Sequence, residues 1–350
     1  MIIRLATNRD QTKWDKYVFS HPNASPYHLF AWKMAVEDAY KHKGFYLMAE
    51  EDGMLKGVLP LVYLKPLLLT GQLVSLPFCD LGSVLSDSKE ITGSLISEAI
   101  SLVKRFSANG MELRNYTPTD EAQAEGLQII TKSHKVSMVL KLGQSSGHLW
   151  DNFKSKLRSQ IRKAEKNGLQ FIWGHKDQLS DFYQLFCHNM RDLGSPVHSK
   201  EWFQMILRHY DHNAKLGLVY YDNKPVGGGI ILTTDKNICV SWASTLREHN
   251  KLSPNMLLYW EFLKYSADNG YDKFDFGRST PDEGTYKFKL QWGSKPEPLY
   301  WENIVINGKK TKQITTATPS KREKVEQLWQ MLPLPLANYL GPSIRKYISL

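Results

Sequence analysis

The sequence predicts a mixed α/β fold that contains two copies of one structural unit. The first observation is that a hairpin, a strand, a helix and a second strand follow one another twice in the same order. The second is that the copies end alike, with ANG-MELRNYTP in one and DNG-YDKFDFGRSTP in the other. The third is the spacing, since 160 residues separate Gly110 from Gly270 and 163 separate Pro118 from Pro281. A near-constant offset over four elements indicates an internal duplication.

The first copy begins with a hairpin, FYLMAEEDGMLKGVLPLVYL, in which two apolar runs flank a turn at Asp52-Gly53. GQLVSLPFCDLGSVL follows as a strand and a loop. A helix is predicted over Ile91 to Phe106, because Gly110 follows its end as a C-cap residue would. MELRNYTP is then a strand with a proline-bounded exit. Ahead of this copy, Ser25-Pro26 starts a helix, with serine as N-cap and proline in the first turn.

The second copy repeats these elements. KLGLVYYDNKPVGGGIILTT is a hairpin that turns at Asp222 to Lys224, and NICVSWASTL is a strand. SPNMLLYWEFLKYSADNG is a helix that ends at Asn269-Gly270. In the exit strand, Phe274 and Phe276 alternate with Asp275, and this period of two is typical of a half-buried strand.

Between the copies, HLWDNFKSKLRSQIRKAEKNGLQ is the strongest helix pattern in the chain. Helical spacing forms one apolar stripe from Leu149, Phe153, Leu157, Ile161 and Ala164. A second row, about 100° round the helix, consists of Lys154, Arg158, Arg162 and Lys166. Like charges at this spacing repel one another, so the row is either a solvated basic face or a surface for phosphates or an RNA backbone.

Length and charge restrict the remaining possibilities. A chain of 350 residues favours two domains, predicted at 1–147 and 148–310, followed by a partly helical tail at 311–350. The tail either docks on the body or lies on a membrane surface. The net charge of +10 favours an anionic partner, although a merely soluble basic protein also fits.

Cysteines and apolar runs bear on compartment and cofactors. Cys79, Cys187 and Cys239 lie far apart, so we expect neither a zinc motif nor a disulfide framework, and free thiols suit a reducing cytosol. The N-terminus shows no signal-peptide pattern, and the most apolar stretch, VLPLVYLKPLLL, is too short and interrupted to span a membrane. We therefore expect a protein that lies in the cytoplasm or at the inner face of the membrane. We also expect that it has no metal and no permanently bound cofactor.

The stretch YDKFDFGRSTPDEGTYKFKLQW combines the exit strand, a loop and a segment rich in lysine and aromatic residues. Charged and aromatic side chains packed at a strand end suit a ligand site, since open sheets bind ligands beyond their strand ends. A charged hairpin with one aromatic, core-facing side fits the same composition. The residues alone leave both interpretations open.

Several of these strings resemble one known family. LRSQIRKAEKNG, YDKFDFG, TYKFKLQWG, SPYHLFAWK and VSLPFCDLG resemble the FemABX aminoacyltransferases, over about residues 15 to 305. NMRDLGSPV, WASTLREHN, SPNMLLYW and FDFGRSTPDEGTYKFKLQWG look closest to the FemAB-like branch associated with exosortase/PEP-CTERM and exopolysaccharide loci. The resemblance implies two tandem GNAT-like domains with a cleft between them. It also implies direct transfer of an aminoacyl or acyl group to an amine of a cell-envelope precursor, of peptidoglycan or exopolysaccharide type.

Two features differ from what the resemblance implies about the donor. Residues Asn189 to Lys215 are too few for the helical arm with which some Fem proteins bind tRNA. At the position where a CoA-binding GNAT has a glycine-rich loop, this chain has REHNKLSPN. The acyl donor, aminoacyl-tRNA or acyl-CoA, therefore stays open. An acyl-CoA enzyme that acts on an amino sugar, and a non-catalytic protein that binds RNA or anionic glycan, are the alternatives.

Candidate site residues follow from chemistry and resemblance together. Amide formation needs a base, stabilisation of the oxyanion and alignment of two substrates, and no Ser-His-Asp or Cys-His pattern suggests an acyl-enzyme. Asp275 is either the base or a structural aspartate, and Lys289 matches the lysine of the family's FK motif. Arg278 suits bidentate binding of a phosphate or carboxylate. The other predicted substrate-binding residues are Tyr27, Trp32, Lys33, Arg158, Arg162, Trp242, Arg247, Asn255 and Tyr286.

Overall fold

The computed structural model describes residues 1–66, 69–119, 127–306 and 319–349. Most helices and strands of the first half lie where the sequence predicts them. In chain order they are β1 (Ile2–Leu5), α1 (Gln11–Ser20), α2 (Phe30–Tyr40), β2 (Lys43–Gly44), β3 (Leu47–Glu51), β4 (Met54–Leu59), β5 (Val62–Leu64), β6 (Gln72–Val74), β7 (Leu85–Ser86), α3 (Lys89–Arg105), β8 (Gly110–Asn115) and β9 (Leu127–Lys141).

The second half and the tail contain the remaining helices and strands. They are α4 (Ser146–Asn152), α5 (Ser155–Lys166), β10 (Gln170–Gly174), α6 (Leu179–Asp192), α7 (Lys200–Tyr210), β11 (Ala214–Tyr221), β12 (Lys224–Thr233), β13 (Asn237–Thr245), α8 (Pro254–Asp268), β14 (Lys273–Ser279), α9 (Gly284–Leu290), β15 (Lys295–Ile306), α10 (Pro319–Gln330) and α11 (Leu334–Arg345).

One large sheet runs through both halves. Its strand order is β10-β11-β12-β13-β14-β9-β15-β8-β6-β5-β2, and a smaller sheet has the order β1-β3-β4-β7. β6 and β8 are parallel in the first half, as β13 and β14 are in the second. The predicted tandem arrangement of two α/β units is therefore confirmed.

The two halves exchange strands at the centre of the sheet. β9, which follows the first copy in sequence, pairs with β14 of the second copy. β15, which follows the second copy, pairs with β8 of the first, and β9 and β15 pair with each other. The domain ranges 1–147 and 148–310 stay a prediction, since each half is completed by a strand that lies, in sequence, beyond the other half's exit strand.

Turn chemistry explains both hairpins. Asp52 and Gly53 have φ of 50° and 77°, and Asp222 and Asn223 have φ of 48° and 57°. Positive φ at both central residues is what a two-residue hairpin with the native strand twist requires, and Asp, Asn and Gly adopt it most easily.

Pro60 separates β4 from β5, and these strands belong to different sheets. Its missing N–H cannot continue the ladder.

Two expectations about helices were wrong in detail. The helix expected over HLWDNFKSKLRSQIRKAEKNG is two helices, α4 and α5, because Phe153 adopts an extended conformation, with ψ of 141°, and ends α4. Its apolar stripe is nevertheless buried throughout. Ser25 caps a 3-10 turn, Pro26–His28, and α2 begins only at Phe30.

The two halves share one aromatic core. Trp32 of α2 lies 5.2 Å from Trp202 of α7 and 6.1 Å from Trp242 of β13, ring centre to ring centre. All three side chains are buried. Aromatic pairs at these separations contribute about 0.5–1.5 kcal/mol each beyond their burial. This contact fixes the first half against the second, and so fixes the cleft between them.

Candidate active site

The site begins where two parallel strands separate. β13 and β14 pair from Asn237 opposite Lys273 to Cys239 opposite Asp275, and their ladder ends there. In the neighbouring ladder with β9, the four residues from Asp275 to Arg278 lie opposite three residues of the partner strand, Val139 to Ser137. This bulge includes a glycine, Gly277, with φ of 76°. Bulges re-aim side chains and free backbone groups, which is why they are common beside active sites.

Asp275 lies at this point. Its Oδ1 accepts hydrogen bonds from Ser137 Oγ at 2.5 Å and from the Gly277 amide at 2.7 Å. Among the described residues, both hydrogen bonds to the carboxyl end on Oδ1, so Oδ2 keeps its lone pairs. Burial raises the pKa of Asp275 to about 6, and the nearby Asp80 adds to this rise. A carboxyl with that pKa and an unoccupied oxygen can accept a proton near neutral pH.

Lys289 approaches the bulge from α9. Its Nζ donates hydrogen bonds to the carbonyl oxygens of Gly277 and Arg278, at 2.9 and 2.8 Å, and its side chain is buried. Burial lowers the pKa of Lys289 to about 8, although the carboxylates of Asp275 and Asp80 oppose this change. The ammonium therefore fixes the bulge and can also release a proton close to physiological pH. One of its three N–H groups remains for a ligand.

Asp80 joins the cluster from the first half of the chain. Its Oδ2 accepts from the Arg278 amide at 3.2 Å, and its Oδ1 lies 3.5 Å from Arg278 Nε. The guanidinium groups of Arg278 and Arg114 lie 5.1 and 5.3 Å from the centre of the Trp301 ring. Sequence reasoning missed Asp80, although PFCDLG was among the strings that carried the family resemblance. A lone acidic residue in an apolar loop was the available signal.

A cleft of about 180 Å³ opens beside Asp275. Its lining combines residues of both copies and of both exchanged strands. Besides Asp275, the polar side chains are those of Asn23, Ser25, Tyr116, Asn237, Cys239, Lys273 and Glu297. Burial raises the pKa of Tyr116 well above its usual value, so this hydroxyl stays protonated and can donate a hydrogen bond. None of these polar residues other than Asp275 was a candidate from sequence.

Four predicted substrate-binding residues, from α2, the 3-10 turn before it and β13, lie in or beside the shared core. The Tyr27 ring is perpendicular to Trp32, and Trp32 stacks on Trp242 with an angle of 2° between the planes. The Tyr27 hydroxyl accepts from Ser241 at 3.3 Å. The buried Lys33 pairs with a glutamate one helical turn on, at 2.7 Å from Glu37 Oε2. Their binding roles stay a prediction, and none of the four lines the cleft beside Asp275.

The two arginines predicted on the basic row have structural contacts. Arg158 donates to three carbonyl oxygens at the end of α4, those of Trp150, Asp151 and Phe153. The Arg162 guanidinium lies 5.2 Å from the centre of the Trp150 ring. These contacts stabilise the junction of α4 and α5, since the last carbonyls of a helix have no partner within it.

Three further predicted residues lie on other elements. Arg247 donates to the Asp192 carbonyl at 3.1 Å. Asn255 lies half-buried in the first turn of α8, and Tyr286 lies half-buried on α9. The structure thus brings together Asp275, Arg278 and Lys289 of the predicted set, and the roles of the others stay predictions.

Comparisons with known proteins agree with this architecture. Residues 151–290 match the family model described as an acetyltransferase (GNAT) domain. The chain is similar to the lipid II:glycine glycyltransferase of Staphylococcus epidermidis, with 22% identity over 370 aligned positions that cover 80% of this chain and 87% of that protein.

Two solved structures show the same fold. FemX superposes with a TM-score of 0.68 at 17% identity, over 86% of this chain and 97% of FemX. A tandem GNAT protein of the clavulanic acid biosynthesis pathway superposes with a TM-score of 0.56 at 11% identity, over 87% and 97% of the two chains. The predicted tandem GNAT-like fold is confirmed, and so is the prediction that the chain is an enzyme of the acyltransferase type. The link to exosortase/PEP-CTERM loci stays a prediction.

Within the described ranges, no group of three or more His, Cys, Asp and Glu side chains is arranged to hold a metal ion. In that part of the chain, no helix has the length and apolar character needed to cross a bilayer.

Proposed function

We propose that the chain transfers an aminoacyl or acyl group to an amine of an anionic cell-envelope precursor. The observation that carries this proposal is the Asp275 carboxyl. Its pKa is about 6, and its Oδ2 accepts no hydrogen bond from the described residues. It lines a cleft between two acyltransferase-like halves. A group of this kind matches the first requirement of amide formation, the removal of a proton from an ammonium or attacking amine.

The reaction follows from these groups. The acceptor amine attacks the carbonyl carbon of the acyl donor and forms the C–N bond, and its proton passes to Asp275 Oδ2. The C–O or C–S bond to the donor then breaks, and the leaving oxygen or sulfur needs a proton or a positive charge nearby. Lys289, with a pKa of about 8 and one N–H unused by the bulge, can supply either. No acyl-enzyme is needed, so the acyl group passes directly from the donor to the acceptor amine.

The class of acceptor is proposed from the curated relative and from charge. The staphylococcal protein is named a lipid II:glycine glycyltransferase, and the chain covers most of its length. A net charge of +10 favours an acceptor that carries phosphates. We therefore place a muropeptide amine of lipid II type first, with an amino sugar of an exopolysaccharide as the finer alternative that the resemblance suggested.

The donor is proposed as an aminoacyl-tRNA. The matched domain model is that of acetyltransferases, which keeps acyl-CoA as the second candidate. Against it, the approach to α8 is a 3-10 turn, Arg247–Leu252, followed by Ser253 with φ of 66°, and this approach contains no glycine. Glycine usually allows backbone amides to come close to a pyrophosphate at a helix start.

The test is a transfer assay with defined substrates. The purified chain is incubated with lipid II as acceptor and with either a mixture of aminoacyl-tRNAs or acetyl-CoA as donor. The mass of the acceptor is then measured by mass spectrometry. A mass increase equal to one aminoacyl residue, seen with tRNA and absent in Asp275→Asn, supports the proposal. An acetyl increase would favour the CoA alternative. Unmodified acceptor with every donor, beside tight RNA binding, would favour a non-catalytic binding protein.

A further inference from the structure

The C-terminal helices present an apolar surface to solvent. On α10, Leu328 is 64% exposed and Val325 is also exposed. Met331, just after α10, is 79% exposed, and Tyr339 on α11 is 80% exposed beside the exposed Leu336. No other described segment of the chain concentrates so many large exposed apolar side chains. We call these five residues the tail surface.

The opposite side of the same helices is well packed. Trp329 and Ala337 are buried, and a Cβ on Gly341 would lie 2.9 Å from Val197. Gln330 donates to the Asp192 carbonyl. The helices are therefore docked on the body in one orientation, and the tail surface is the side that this docking leaves outward. An outward cluster of large apolar side chains indicates a partner.

The chemistry around the tail surface points to a lipid bilayer. Residues 331–344, MLPLPLANYLGPSI, contain no charged side chain, whereas the sequence from 307 to 350 contains eight Lys or Arg and two Glu. In the sequence, a basic stretch precedes these uncharged residues and Lys346 follows them, which is a pattern typical of interfacial segments that bind anionic lipids. Tyrosine, like tryptophan, is enriched at membrane interfaces.

The same segment is connected to the candidate active site. The Phe78 amide donates to the Ser349 carbonyl at 2.6 Å, and the Arg345 guanidinium lies 5.8 Å from the centre of the Phe78 ring. Phe78 precedes Asp80 by two residues, in the loop that contacts Arg278. A surface fixed to this loop would hold the cleft close to whatever the tail binds.

We propose that the tail surface is a peripheral membrane-docking site for anionic bilayers, through which the enzyme reaches acceptors in or at the membrane. The docking needs neither donor nor acceptor, so it can be tested apart from the proposed function.

The first experiment is vesicle co-sedimentation of the full chain. The vesicles contain phosphatidylcholine alone or phosphatidylcholine with one-third phosphatidylglycerol. We expect binding to the anionic vesicles that weakens as salt rises, and a loss of roughly tenfold or more in Leu328→Gln/Met331→Gln/Tyr339→Gln. The matched control is Met54→Gln/Ile172→Gln, which changes exposed apolar residues on the body and should bind as the wild type does. Circular dichroism checks that both variants are folded.

A second measurement does not depend on losing binding. All three native cysteines are buried, so Tyr339→Cys offers a single exposed thiol for an environment-sensitive fluorophore, with Met54→Cys as the control. We expect a blue shift with anionic vesicles at position 339 and none at 54. Equal vesicle binding by the triple variant, or absent binding by the wild type, would overturn the proposal. Concentration-dependent dimers that disappear in the triple variant, without vesicle binding, would assign the surface to self-association instead.

Discussion

Replacing Asp275 by Asn separates its two alternatives, catalytic base and structural aspartate, because both hydrogen bonds to the carboxyl end on one oxygen. The Asn amide oxygen can occupy the place of Oδ1 and keep the donations from Ser137 and Gly277. The amide nitrogen then occupies the place of Oδ2, which can no longer accept a proton. The fold should therefore persist while general-base catalysis is lost, and such a loss lowers kcat by about 10²- to 10⁴-fold.

The structure also determines whether Asp275→Asn raises or lowers the free energy of unfolding. The pKa of Asp275 is raised from 3.8 to about 6 by folding, so the folded state favours the protonated carboxyl. Its stabilising contribution is complete below about pH 4 and is lost as the pH rises through about 6. The difference of roughly two pKa units corresponds to a cost of about 3 kcal/mol above pH 6. Asn does not ionise, so the variant should avoid that cost.

Thermal melts of wild type and Asp275→Asn at a series of pH values measure this difference. We expect equal midpoints near pH 4, a growing advantage for the variant up to about pH 6, and a constant advantage of several degrees above it. The transfer assay at pH 7 supplies kcat. Wild-type turnover in the folded variant would remove Asp275 from catalysis. Midpoints that differ by the same amount at every pH would refute the argument from burial.

Four further predictions concern Lys289, the basic row and the acyl donor. Lys289→Met should abolish transfer and lower the free energy of unfolding by about 2–4 kcal/mol, because two bulge carbonyls lose their donor. Since the pKa of Lys289 is lowered to about 8, wild-type stability should gain from deprotonation of this lysine between about pH 8 and 10, and a melt series in which the variant shows the same gain would contradict this. Arg158→Glu/Arg162→Glu should weaken substrate binding in a salt-dependent way and, because Arg158 caps α4, should also lower the melting midpoint; unchanged KM would leave only the structural role. Equilibrium dialysis with acetyl-CoA should show no tight binding, and saturable micromolar binding that free CoA competes would support the CoA-dependent alternative.

Local signals in the sequence predicted most of the fold. The hairpins were predictable because Asp52-Gly53 and Asp222 to Lys224 mark turns by their own chemistry. The duplication was predictable because its elements recur in order. The break between α4 and α5 was not, since neither Phe153 nor Lys154 stops a helix by itself. Phe153 leaves the helix where its ring packs against Trp260 and Trp292, 5.8 and 5.7 Å away, and such tertiary contacts override local propensity.

The sequence did not predict the exchange of strands between the two halves either. Neither β9 nor β15 was predicted from the sequence, and the pattern of a strand does not identify the strands beside it. In contrast, the sequence could indicate Asp275, Arg278 and Lys289 as one site, because they lie within fifteen residues of one another. Asp80, Ser137 and Glu297 were not found, because only the folded topology brings Asp80 to Arg278, Ser137 to Asp275 and Glu297 to the cleft.

The exchange also explains why the two copies differ in what their exit strands do. In the second copy, the exit strand holds Asp275 beside the cleft, with Ser137 supplied by β9 from across the duplication. In the first copy, the exit strand β8 holds Arg114, a buried guanidinium whose hydrogen bonds go to Glu112 and to the carbonyls of Leu76 and Cys79. Arg114 thereby fixes the loop that presents Asp80, and Asp80 in turn contributes to the raised pKa of Asp275. The first copy thus positions Asp80, and the second carries Asp275, the proposed base. The raised pKa of Asp275 comes mainly from its burial and in part from Asp80, so both halves contribute to it.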